Sequence, residues 1–321
     1  MRNEILKELW TNRDRYISGA QIAQEFGVSR VAIWKQIESL KKEGYDIIST
    51  RSKGYRLVNA GEVIIPELIE QKNSIIGRRV ISFSVLDSTN EHCKRLLAEG
   101  SIDEGTVVVA REQRNARGRM GRHWEAPSGG LWFSFVLQPD LPIAQLALLS
   151  LVFAVAVADC LNGLISEKCL VKWPNDIYVS GKKVAGILLE LIGEIHGTKY
   201  LVVGIGVNTA VDKSRFSESL REVAGSLSNY GLKGLNAEIL EQLLKHLEIY
   251  YREFLLQGFQ PIRKKFKDLC FHMGSLVEVP VEKEKLQGIN IDIDDTGALI
   301  INTGERLIHI NTGDVNVVKE G

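Results

Sequence analysis

A long basic connection between two apolar runs constrains this chain more than any other stretch. The runs Thr106–Ala110 and Leu131–Leu137 are rich in β-branched and aromatic residues, as buried strands are. Between them, Gln113–Trp124 contains no Asp or Glu. Glycine allows positive φ or close approach to a ligand, and arginine offers planar donor pairs to phosphate or carboxylate oxygens. We therefore favour an anion site, with a nucleic-acid contact or a solvated surface loop as alternatives. The arginines and glycines of this loop are Arg114, Arg117, Gly118, Arg119, Gly121 and Arg122.

Composition narrows the class of protein. The chain has 321 residues, enough for two or three domains, and Lys plus Arg equals Asp plus Glu at 40 each. A balanced chain has no global attraction for a polyanion, so any nucleic-acid binding must be local. The N-terminus lacks the apolar core of a signal peptide. The most apolar segment, Leu146–Ala158, is shorter than the roughly 20 residues that span a bilayer. We expect a cytoplasmic protein without a membrane partner.

The cysteines and histidines give no sign of a metal site. The four cysteines are scattered without a C-x-x-C, and the six histidines lack metal-ligand spacing. Such cysteines are typical of reduced thiols in a cytosolic protein. We expect neither disulfides nor a protein-bound metal.

The first 59 residues predict a helix-turn-helix followed by a β-hairpin, which is a winged helix. Apolar stripes indicate three short helices, with Ser18 and Ser29 as N-caps, Gly27 as the intervening stop and Gly44 as the final one. Two brief strands follow. The segment has eleven Lys and Arg and seven Asp and Glu, a net charge of +4. DNA binding is the favoured interpretation, and a protein-interaction domain is the alternative.

The DNA contacts are assigned to the end of the third helix and to the wing. The N-terminal residues of such helices reach base edges, and basic residues of the wing contact phosphates. A linker is expected from Ala60 to about Glu70, with Pro66 inside it. The predicted DNA-binding residues are Ala20, Gln21, Ser29, Arg30, Trp34, Lys35, Arg51 and Lys53.

The central part begins with a strand that runs into a polar turn. The strand Ile81–Leu86 precedes D-S-T-N-E, in which Ser88 and Glu91 form a capping box. Capping alone explains Ser88, yet a strand-to-helix turn with these side chains also suits a small ligand. A long apolar helix is expected from Pro142 to about Leu164.

Two further runs carry lysines among apolar residues. Leu170–Val179 and Lys182–Glu190 are predicted to form a hairpin of two buried strands. Lys172 and Lys183 are either snorkelling surface residues or fixed cations for a phosphate or carboxylate. Gly186 indicates that another group approaches its strand closely.

The next strand, Tyr200–Asn208, ends in G-I-G-V-N. This is neither a dinucleotide fingerprint nor a P-loop, although its glycines and asparagine suit a flat base. Helices are expected at Asn236–Leu256 and Pro261–Leu269. After Gly274, five short alternating runs predict a small barrel, which could be a lid or a docking surface. These runs are 275–280, 286–293, 298–302, 307–311 and 315–318.

These stretches resemble the bifunctional biotin–protein ligases that also repress the biotin operon. The resemblance covers essentially the whole chain, and K-W-P-N-D at 172–176 followed by K-V-A-G-I-L at 183–188 is its most specific part. Ala116 stands where the family loop has a glycine, which could reshape the biotin pocket. The resemblance implies an α+β chain with a winged helix-turn-helix at 1–62. It also implies a mixed-sheet α/β ligase domain, class II synthetase-like, at 63–272, and a small SH3-like β-barrel at 273–321.

The resemblance also implies a reaction and a switch. Biotin and ATP, the latter with Mg²⁺, would form biotinyl-5′-adenylate, and biotin would pass to a lysine of a biotin carboxyl carrier protein. The adenylate would order the basic loop and promote a homodimer whose two winged helices read a palindromic operator at biotin biosynthesis genes.

The site residues follow from the matching motifs. Lys183, Arg117 and Arg119 are the implied catalytic cations, and Lys183 is preferred to Lys182 because it directly precedes V-A-G. The ureido ring is expected to contact Ser88, Thr89 and Gln113 above Gly186, and adenine is expected to stack on Trp124. The implied biotin-binding residues are Ser88, Thr89, Asn90, Gln113, Arg117, Gly118, Arg119, Lys183 and Gly186. The implied ATP-binding residues are Arg119, Trp124, Lys172, Asn175, Asp176, Lys183 and Asn208.

Two alternatives from other classes stay open at this point. One is a winged-helix repressor that binds a small acid and performs no chemistry. The other is a lipoate-type ligase, which K-W-P-N-D and the attached winged helix disfavour. Release of pyrophosphate dependent on biotin and ATP separates the first, and competition between biotin and lipoate separates the second.

Overall fold

The N-terminal part folds as three helices and a hairpin. The computed structural model describes residues 1–42, 45–58, 60–195, 198–232, 234–281 and 284–318. The hydroxyl of Ser18 accepts a hydrogen bond from the backbone N–H of Gln21, and that of Ser29 accepts one from Ala32, so both predicted caps are present. The predicted stop at Gly44 lies outside the described residues. The elements are α1 (Arg2–Thr11), α2 (Gly19–Glu25), α3 (Arg30–Lys42), β1 (Ile47–Thr50) and β2 (Gly54–Leu57).

The segment after the hairpin is packed rather than a free linker. Val63 and Ile65 belong to the apolar cluster of the N-terminal part, whereas Ile64 and Ile69 belong to the cluster beneath the central sheet. Alternate apolar residues therefore face two cores, which anchors the segment between them. It contains a 3₁₀ turn (Ala60–Glu62) and a short helix α4 (Pro66–Ile69).

The centre of the molecule is a seven-stranded mixed sheet in the order β3-β4-β5-β9-β8-β7-β6. The pair β3–β4 is parallel and the remaining pairs are antiparallel. The basic loop joins the antiparallel neighbours β4 and β5. The strands are β3 (Arg79–Leu86), β4 (Thr106–Gln113), β5 (Leu131–Leu137), β6 (Cys169–Lys172), β7 (Asp176–Val179), β8 (Lys182–Ile195) and β9 (Thr198–Val207).

Helices cover both faces of this sheet. Phe133 and Phe135 are fully buried in the large cluster that the sheet shares with three long helices, and Val108 and Val136 face a smaller cluster under one helix. A strand that is buried on both faces has a continuous apolar sequence, as β5 has. The helix on the smaller cluster is α5 (Thr89–Ala98); the others are α6 (Ile143–Leu146), α7 (Leu149–Asn162), α8 (Glu218–Arg221), α9 (Asn236–Gln257) and α10 (Gln260–Leu269).

Two sequence-based expectations in this region are wrong. The run Leu170–Val179 is not one strand, because it folds back between β6 and β7 at Trp173–Asn175. Pro174 lacks the N–H that a continuous ladder needs. The apolar segment Leu146–Ala158, expected to be too short to cross a membrane, is also part of a longer one: Ile143–Asn162 has the length and apolarity to do so, but two thirds of its most apolar part is buried inside the protein. Its burial, not its length, marks it as a core segment.

The C-terminal part is an antiparallel sheet in the order β13-β12-β11-β10-β14. All five predicted strands are confirmed within a few residues. Trp173 ties this sheet to the central one, since its indole N–H donates to the carbonyl of Gly297 at 2.9 Å and its backbone N–H to Nε2 of His272 at 3.3 Å. The strands are β10 (Leu276–Val281), β11 (Glu284–Ile293), β12 (Leu299–Asn302), β13 (Leu307–Ile310) and β14 (Asn316–Val317).

Candidate ligand site and DNA-binding surface

A cavity of about 260 Å³ lies between the central sheet, the basic loop and the segment that contains α8. It collects thirteen of the fourteen residues assigned to biotin or ATP; within the described chain only Lys172 does not line it. Residues from five separate strands and loops thus converge on one space, as a ligand site requires. The assigned residues around it are Ser88, Thr89, Asn90, Gln113, Arg117, Gly118, Arg119, Trp124, Asn175, Asp176, Lys183, Gly186 and Asn208.

One end of the cavity, which we call the floor, is a chain of buried hydrogen bonds. Oε1 of Gln113 accepts from the backbone N–H of Thr89 at 2.7 Å and lies 3.0 Å from its hydroxyl. The hydroxyl of Ser134 lies 2.6 Å from that of Thr89 and 2.5 Å from Oδ1 of Asn90. Asn90 in turn donates to the carboxylate of Glu190 at 2.7 Å. Such a network holds its members in one arrangement before a ligand arrives.

Ser134 and Glu190 were missed in the sequence. Each is the single polar residue in an otherwise apolar run, Ser134 in L-W-F-S-F-V-L and Glu190 at the end of I-L-L-E. A lone polar side chain in a buried strand needs a partner, which is the signal that could have identified both. The run with Ser134 contains no recognisable motif, and the motif that runs up to Glu190 does not name a partner for it, so both partners become visible only in the fold.

Ser88 acts first as a helix cap. Its hydroxyl accepts from the backbone N–H of Glu91 at 3.4 Å, at the start of α5. The second half of the predicted capping box is replaced, because the backbone N–H of Ser88 donates to Asp87 at 2.8 Å and Glu91 pairs with Lys94. Ser88 is buried at the cavity wall, so its contact with biotin stays a prediction.

Two glycines make room for Trp124. A Cβ at Gly186 would lie 3.0 Å from the Trp124 ring, and one at Gly206 would lie 2.9 Å from it. The close approach predicted at Gly186 is therefore present and is made by the indole of Trp124; the contact of Gly186 with biotin stays a prediction. Trp124 also meets Trp132 edge to face, with centroids 6.2 Å apart. Its indole nitrogen is buried without a hydrogen-bond partner among the described residues.

Lys183 faces the cavity from β8. Its Nζ lies 2.6 Å from the carboxylate of Asp176 and 5.1 Å from the centroid of the Trp124 ring. The neighbouring Lys182 points the other way, to the backbone carbonyl and carboxylate of Glu222. Alternation along the strand explains the difference, since successive side chains point to opposite faces. The geometry agrees with the choice of Lys183 as the cation of the site.

The basic loop forms the mouth of the cavity. Arg119 donates to Oδ1 of Asn175 at 3.2 Å, and Arg122 forms an ion pair with Asp314 of the C-terminal part. Gly121 has φ +72°, whereas Gly118 has an ordinary negative φ, so the positive angle expected of these glycines is needed only at Gly121. Burial alone would raise the pKa of Asp314, but its hydrogen bond to Arg122 and the nearby cations hold that pKa below its usual value.

Ala116, the residue that departs from the family pattern, is buried beneath the loop. It packs with Ala126, Trp132 and Phe216, and its carbonyl accepts from the backbone N–H of Trp124 at 2.9 Å. Its methyl group therefore adds apolar contact under Trp124. The effect of this methyl on biotin binding stays a prediction.

Lys172 lies outside the cavity, against the expectation from the sequence. Its Nζ contacts Oδ1 of Asn316 at 3.2 Å and lies 5.6 Å from the ring of Tyr178. Burial lowers the pKa of Lys172, although Asp176 and Asp314 partly oppose that effect. In this structure Lys172 supports the contact between β6 and the C-terminal sheet.

The segment Phe216–Ala224 covers the other side of the cavity and was missed in the sequence. Its end is tied to β8, because the backbone N–H of Lys183 donates to Val223 and its carbonyl accepts from Gly225. Nδ2 of Asn208 donates to Gly225 at 2.9 Å. Oδ1 of Asn208 is buried and has no partner among the described residues, so it is an acceptor available to a ligand.

A second surface lies on the N-terminal part. Each of the eight residues predicted to bind DNA is exposed there, including Trp34 at 53%. The buried face of α3 instead carries Ile33 and Ile37. Arg111 of β4 lies 3.7 Å from Asp46 beside the hairpin, so the strand that leads to the cavity also touches this domain.

The chain matches known proteins along its length. Residues 82–208 match the biotin/lipoate A/B protein ligase family, residues 2–56 match an HTH domain, and residues 272–318 match the biotin protein ligase C terminal domain. The bifunctional ligase/repressor BirA of Bacillus subtilis (strain 168) is 34% identical over 99% of this chain and 98% of its own length. BirA of Escherichia coli (strain K12) is 31% identical over 88% of this chain and 87% of its own length.

A solved structure agrees with these matches. The biotin protein ligase from Aquifex aeolicus, in complex with biotin and ATP, superposes with a TM-score of 0.66 and 30% identity, covering 75% of this chain and 99% of that one. The resemblance inferred from the motifs is confirmed. This chain therefore belongs to the biotin–protein ligase family, as a bifunctional member that joins biotin ligation to a DNA-binding repressor.

Proposed function

We propose that the cavity binds biotin at its floor and ATP at its mouth. The observation that carries this assignment is the position of Lys183, which lines the cavity beside Trp124 and is held there by Asp176. Thr89 and Gln113 offer polar groups for the ureido ring, and the unpartnered Oδ1 of Asn208 suits the amino group of adenine. Trp124 supplies the aromatic face beside it.

The first half-reaction joins the two substrates. An oxygen of the biotin carboxylate attacks the α-phosphorus of ATP, an oxygen–phosphorus bond forms, and the bond to the β-phosphate breaks to release pyrophosphate. Negative charge gathers on the α-phosphate oxygens in the transition state. Lys183, Arg117 and Arg119 are placed around the cavity to stabilise that charge. The phosphates would compete with Asp176 for Lys183, so the ion pair keeps the lysine in position until ATP arrives.

Mg²⁺ enters this proposal with ATP. Among the described residues, no group of three or more His, Cys, Asp or Glu side chains is arranged to hold an ion unaided. The carboxylate of Asp176 is a hard oxygen donor at the mouth, so it fits a magnesium ion that also binds phosphate oxygens. The ion would neutralise phosphate charge when bound.

The second half-reaction transfers biotin to a biotin carboxyl carrier protein. The neutral ε-amine of its lysine attacks the acyl carbon of the adenylate, an amide bond forms, AMP leaves and the amine loses a proton. The loop that carries the arginines would cover the mixed anhydride and exclude water until the carrier docks.

The repressor activity rests on the N-terminal surface. We propose that adenylate promotes a homodimer in which two winged helices place Ser29, Arg30 and Lys35 against the half-sites of a palindromic operator. Arg51 and Lys53 of the wing would contact phosphates. We further propose a cytoplasmic location without a membrane partner, an SH3-like closure of the C-terminal strands and a class II synthetase-like centre.

One incubation tests the ligase proposal. The chain is mixed with biotin, ATP and Mg²⁺, and mass spectrometry follows bound adenylate and its transfer to a carrier domain. Adenylate and a biotinylated carrier are expected. Because the matched family also includes lipoate ligases, lipoate is offered in competition; equal use of lipoate would contradict specificity for biotin.

Gel filtration and DNA binding test the switch. The elution volume is compared with and without biotin and ATP, and binding to operator DNA is measured in both states. Association that depends on the adenylate is expected to accompany tighter DNA binding. A chain that stays monomeric with adenylate bound would overturn the dimer proposal.

A further inference from the structure

Glu190 lies behind the floor and touches it only through Asn90. Its carboxylate accepts from Nδ2 of Asn90 at 2.7 Å with one oxygen and from Nζ of Lys94 at 2.7 Å with the other. Its side chain is 31% exposed. Glu190 does not line the cavity, so any effect on a ligand must pass through Asn90.

The charge of Glu190 fixes which way the Asn90 amide faces. A carboxylate only accepts hydrogen bonds, so Asn90 must turn its NH₂ group towards it. Oδ1 of Asn90 then points at Ser134, 2.5 Å away. A Cβ at Gly204 would lie 2.2 Å from this oxygen, so the glycine leaves it the necessary space.

The fixed amide determines the direction of the next hydrogen bonds. Oδ1 of Asn90 can only accept, so the hydroxyl hydrogen of Ser134 goes to it. Ser134 then has no hydrogen left to donate to Thr89, whose oxygen lies 2.6 Å away. The Thr89 hydroxyl donates its own hydrogen to Oε1 of Gln113 at 3.0 Å and receives none from Ser134. The Thr89 oxygen consequently reaches the cavity as an acceptor.

Gln113 shows the opposite polarity. Its Oε1 accepts the backbone N–H of Thr89 at 2.7 Å, so its Nε2 faces the other way as a donor. Thr89 and Gln113 both line the cavity. The floor therefore presents an acceptor beside a donor, which matches the adjacent N–H and carbonyl of a cyclic urea.

We propose that Glu190 is a positioning residue for biotin, because it sets the direction of the hydrogen bonds that end at Thr89 and Gln113. This inference rests on the proposed binding of the ureido ring at the floor. Under this proposal Asn90 does not touch the ligand, because its NH₂ group and its Oδ1 both form hydrogen bonds within the protein.

Exchange of the amide and the carboxylate between positions 90 and 190 tests the direction of these hydrogen bonds. Glu190→Gln lets either amide turn. A turned Asn90 frees the Ser134 hydrogen to be donated to Thr89, so the acceptor at Thr89 is occupied part of the time, and the dissociation constant for biotin should rise about tenfold. Asn90→Asp sets two carboxylates against each other and should weaken binding at least as much. The double variant Asn90→Asp/Glu190→Gln restores one donor and one acceptor with their positions exchanged, and it keeps an acceptor oxygen at position 90 facing Ser134. It should recover biotin affinity to within about threefold of wild type.

Titration calorimetry with biotin alone measures these constants, and steady-state kinetics measures kcat and the KM for ATP. The change should be confined to biotin, with kcat and the KM for ATP held near wild type. Glu91→Gln is the control, because Glu91 also pairs with Lys94, whereas the Asn90 amide donates to Glu190 and not to the Glu91 carboxylate. Thermal unfolding of every variant shows whether the fold is kept.

The outcomes separate the two proposals. A wild-type chain that does not bind biotin overturns the proposed function and this inference together. A wild-type chain that binds biotin, with a Glu190→Gln variant of unchanged affinity, overturns the inference alone. Failure of the double variant to recover affinity, while it unfolds at the wild-type temperature, would also overturn it.

Discussion

The floor and the mouth of the cavity are built in opposite ways. At the floor, Thr89 and Asn90 are 3% and 6% exposed and are joined to Ser134 by short hydrogen bonds. At the mouth, Met120 is 80% exposed, and Arg122 reaches Asp314 through an ion pair between exposed side chains. Buried networks fix geometry, whereas exposed ion pairs contribute little. The geometry of the floor is therefore fixed before a ligand binds, whereas the arrangement of the mouth depends on the charge of the bound ligand.

The largest effect is expected where the two regions meet. Lys183→Ala removes the cation that faces the transferring phosphate and should lower the rate of adenylate formation about 10²- to 10³-fold. Pyrophosphate release measures it. Lys182→Ala is the matched control, since Lys182 points to Glu222, and it should stay within about threefold of wild type. Unimpaired release by the Lys183 variant would place the chemistry elsewhere.

A smaller effect tests the rigidity of the floor. Gly204→Ala sets a methyl group 2.2 Å from the Asn90 amide, which must shift. Displacement of a tightly packed group costs about 2 kcal/mol, so biotin affinity should fall roughly thirtyfold. Gly193→Ala in β8 is the control, because no described atom lies within 4 Å of the added carbon. Equal affinities for both variants would show that the floor adapts and would break the contrast with the mouth.

Asn175 lies on the rim of the mouth, and the buried residue His272 supports this rim. The pH dependence of stability should reveal its contribution. Burial, aided by the charge of Lys172, lowers the pKa of His272 to about 4. The folded chain then binds fewer protons than the unfolded chain, whose histidine titrates near 6.5. Stability is therefore full above about pH 6.5 and is lost as the pH falls towards about 4.

Urea unfolding measures that loss. Between pH 7.5 and 5.5, His272 should account for about 1.5 kcal/mol of the decrease in unfolding free energy. His272→Gln keeps an acceptor for the Trp173 N–H but does not titrate, so its decrease should be smaller by that amount. His246→Gln, at the surface of α9, serves as the control. Parallel curves for wild type and the His272 variant would contradict the prediction.

The smallest effect is expected at the ion pair of the mouth. Asp314→Asn should change the unfolding free energy by less than about 1 kcal/mol, because exposed pairs are screened by water and salt. Trypsin should nevertheless cut the arginine loop faster in this variant, and biotin with ATP should restore protection. A large loss of stability would mean that the mouth is as firmly built as the floor.

The sequence predicted the residues of the site better than their arrangement. Local motifs were sufficient to identify four residues that line one cavity: Thr89, Gln113, Lys183 and Asn208. Each lies at the end of a strand whose apolar pattern is clear. Ser134 was missed because its partners lie more than 40 residues away. Motif spacing contains no information on such pairs.

The errors have a common physical origin. Lys172 was assigned to ATP because it shares a motif with Asn175, yet it does not line the cavity and its Nζ contacts Asn316 of the C-terminal sheet. The close approach expected at Gly186 is present and is made by Trp124 of the chain itself, and the contact of Gly186 with biotin stays a prediction. The order of the elements and most strand limits, to within a few residues, could be predicted from periodicity; reversals and long-range partners could not.

The two hydrogen bonds that Trp173 donates to Gly297 and His272 bear on how such proteins can be recombined. Trp173 stands two positions before Asn175, which receives Arg119. A chimaera that took its last fifty or so residues from a relative would also import the acceptors on which this rim of the cavity rests. The segment with Trp173 and the segment with His272 and Gly297 must consequently come from the same parent protein, even though they belong to separate modules in the sequence.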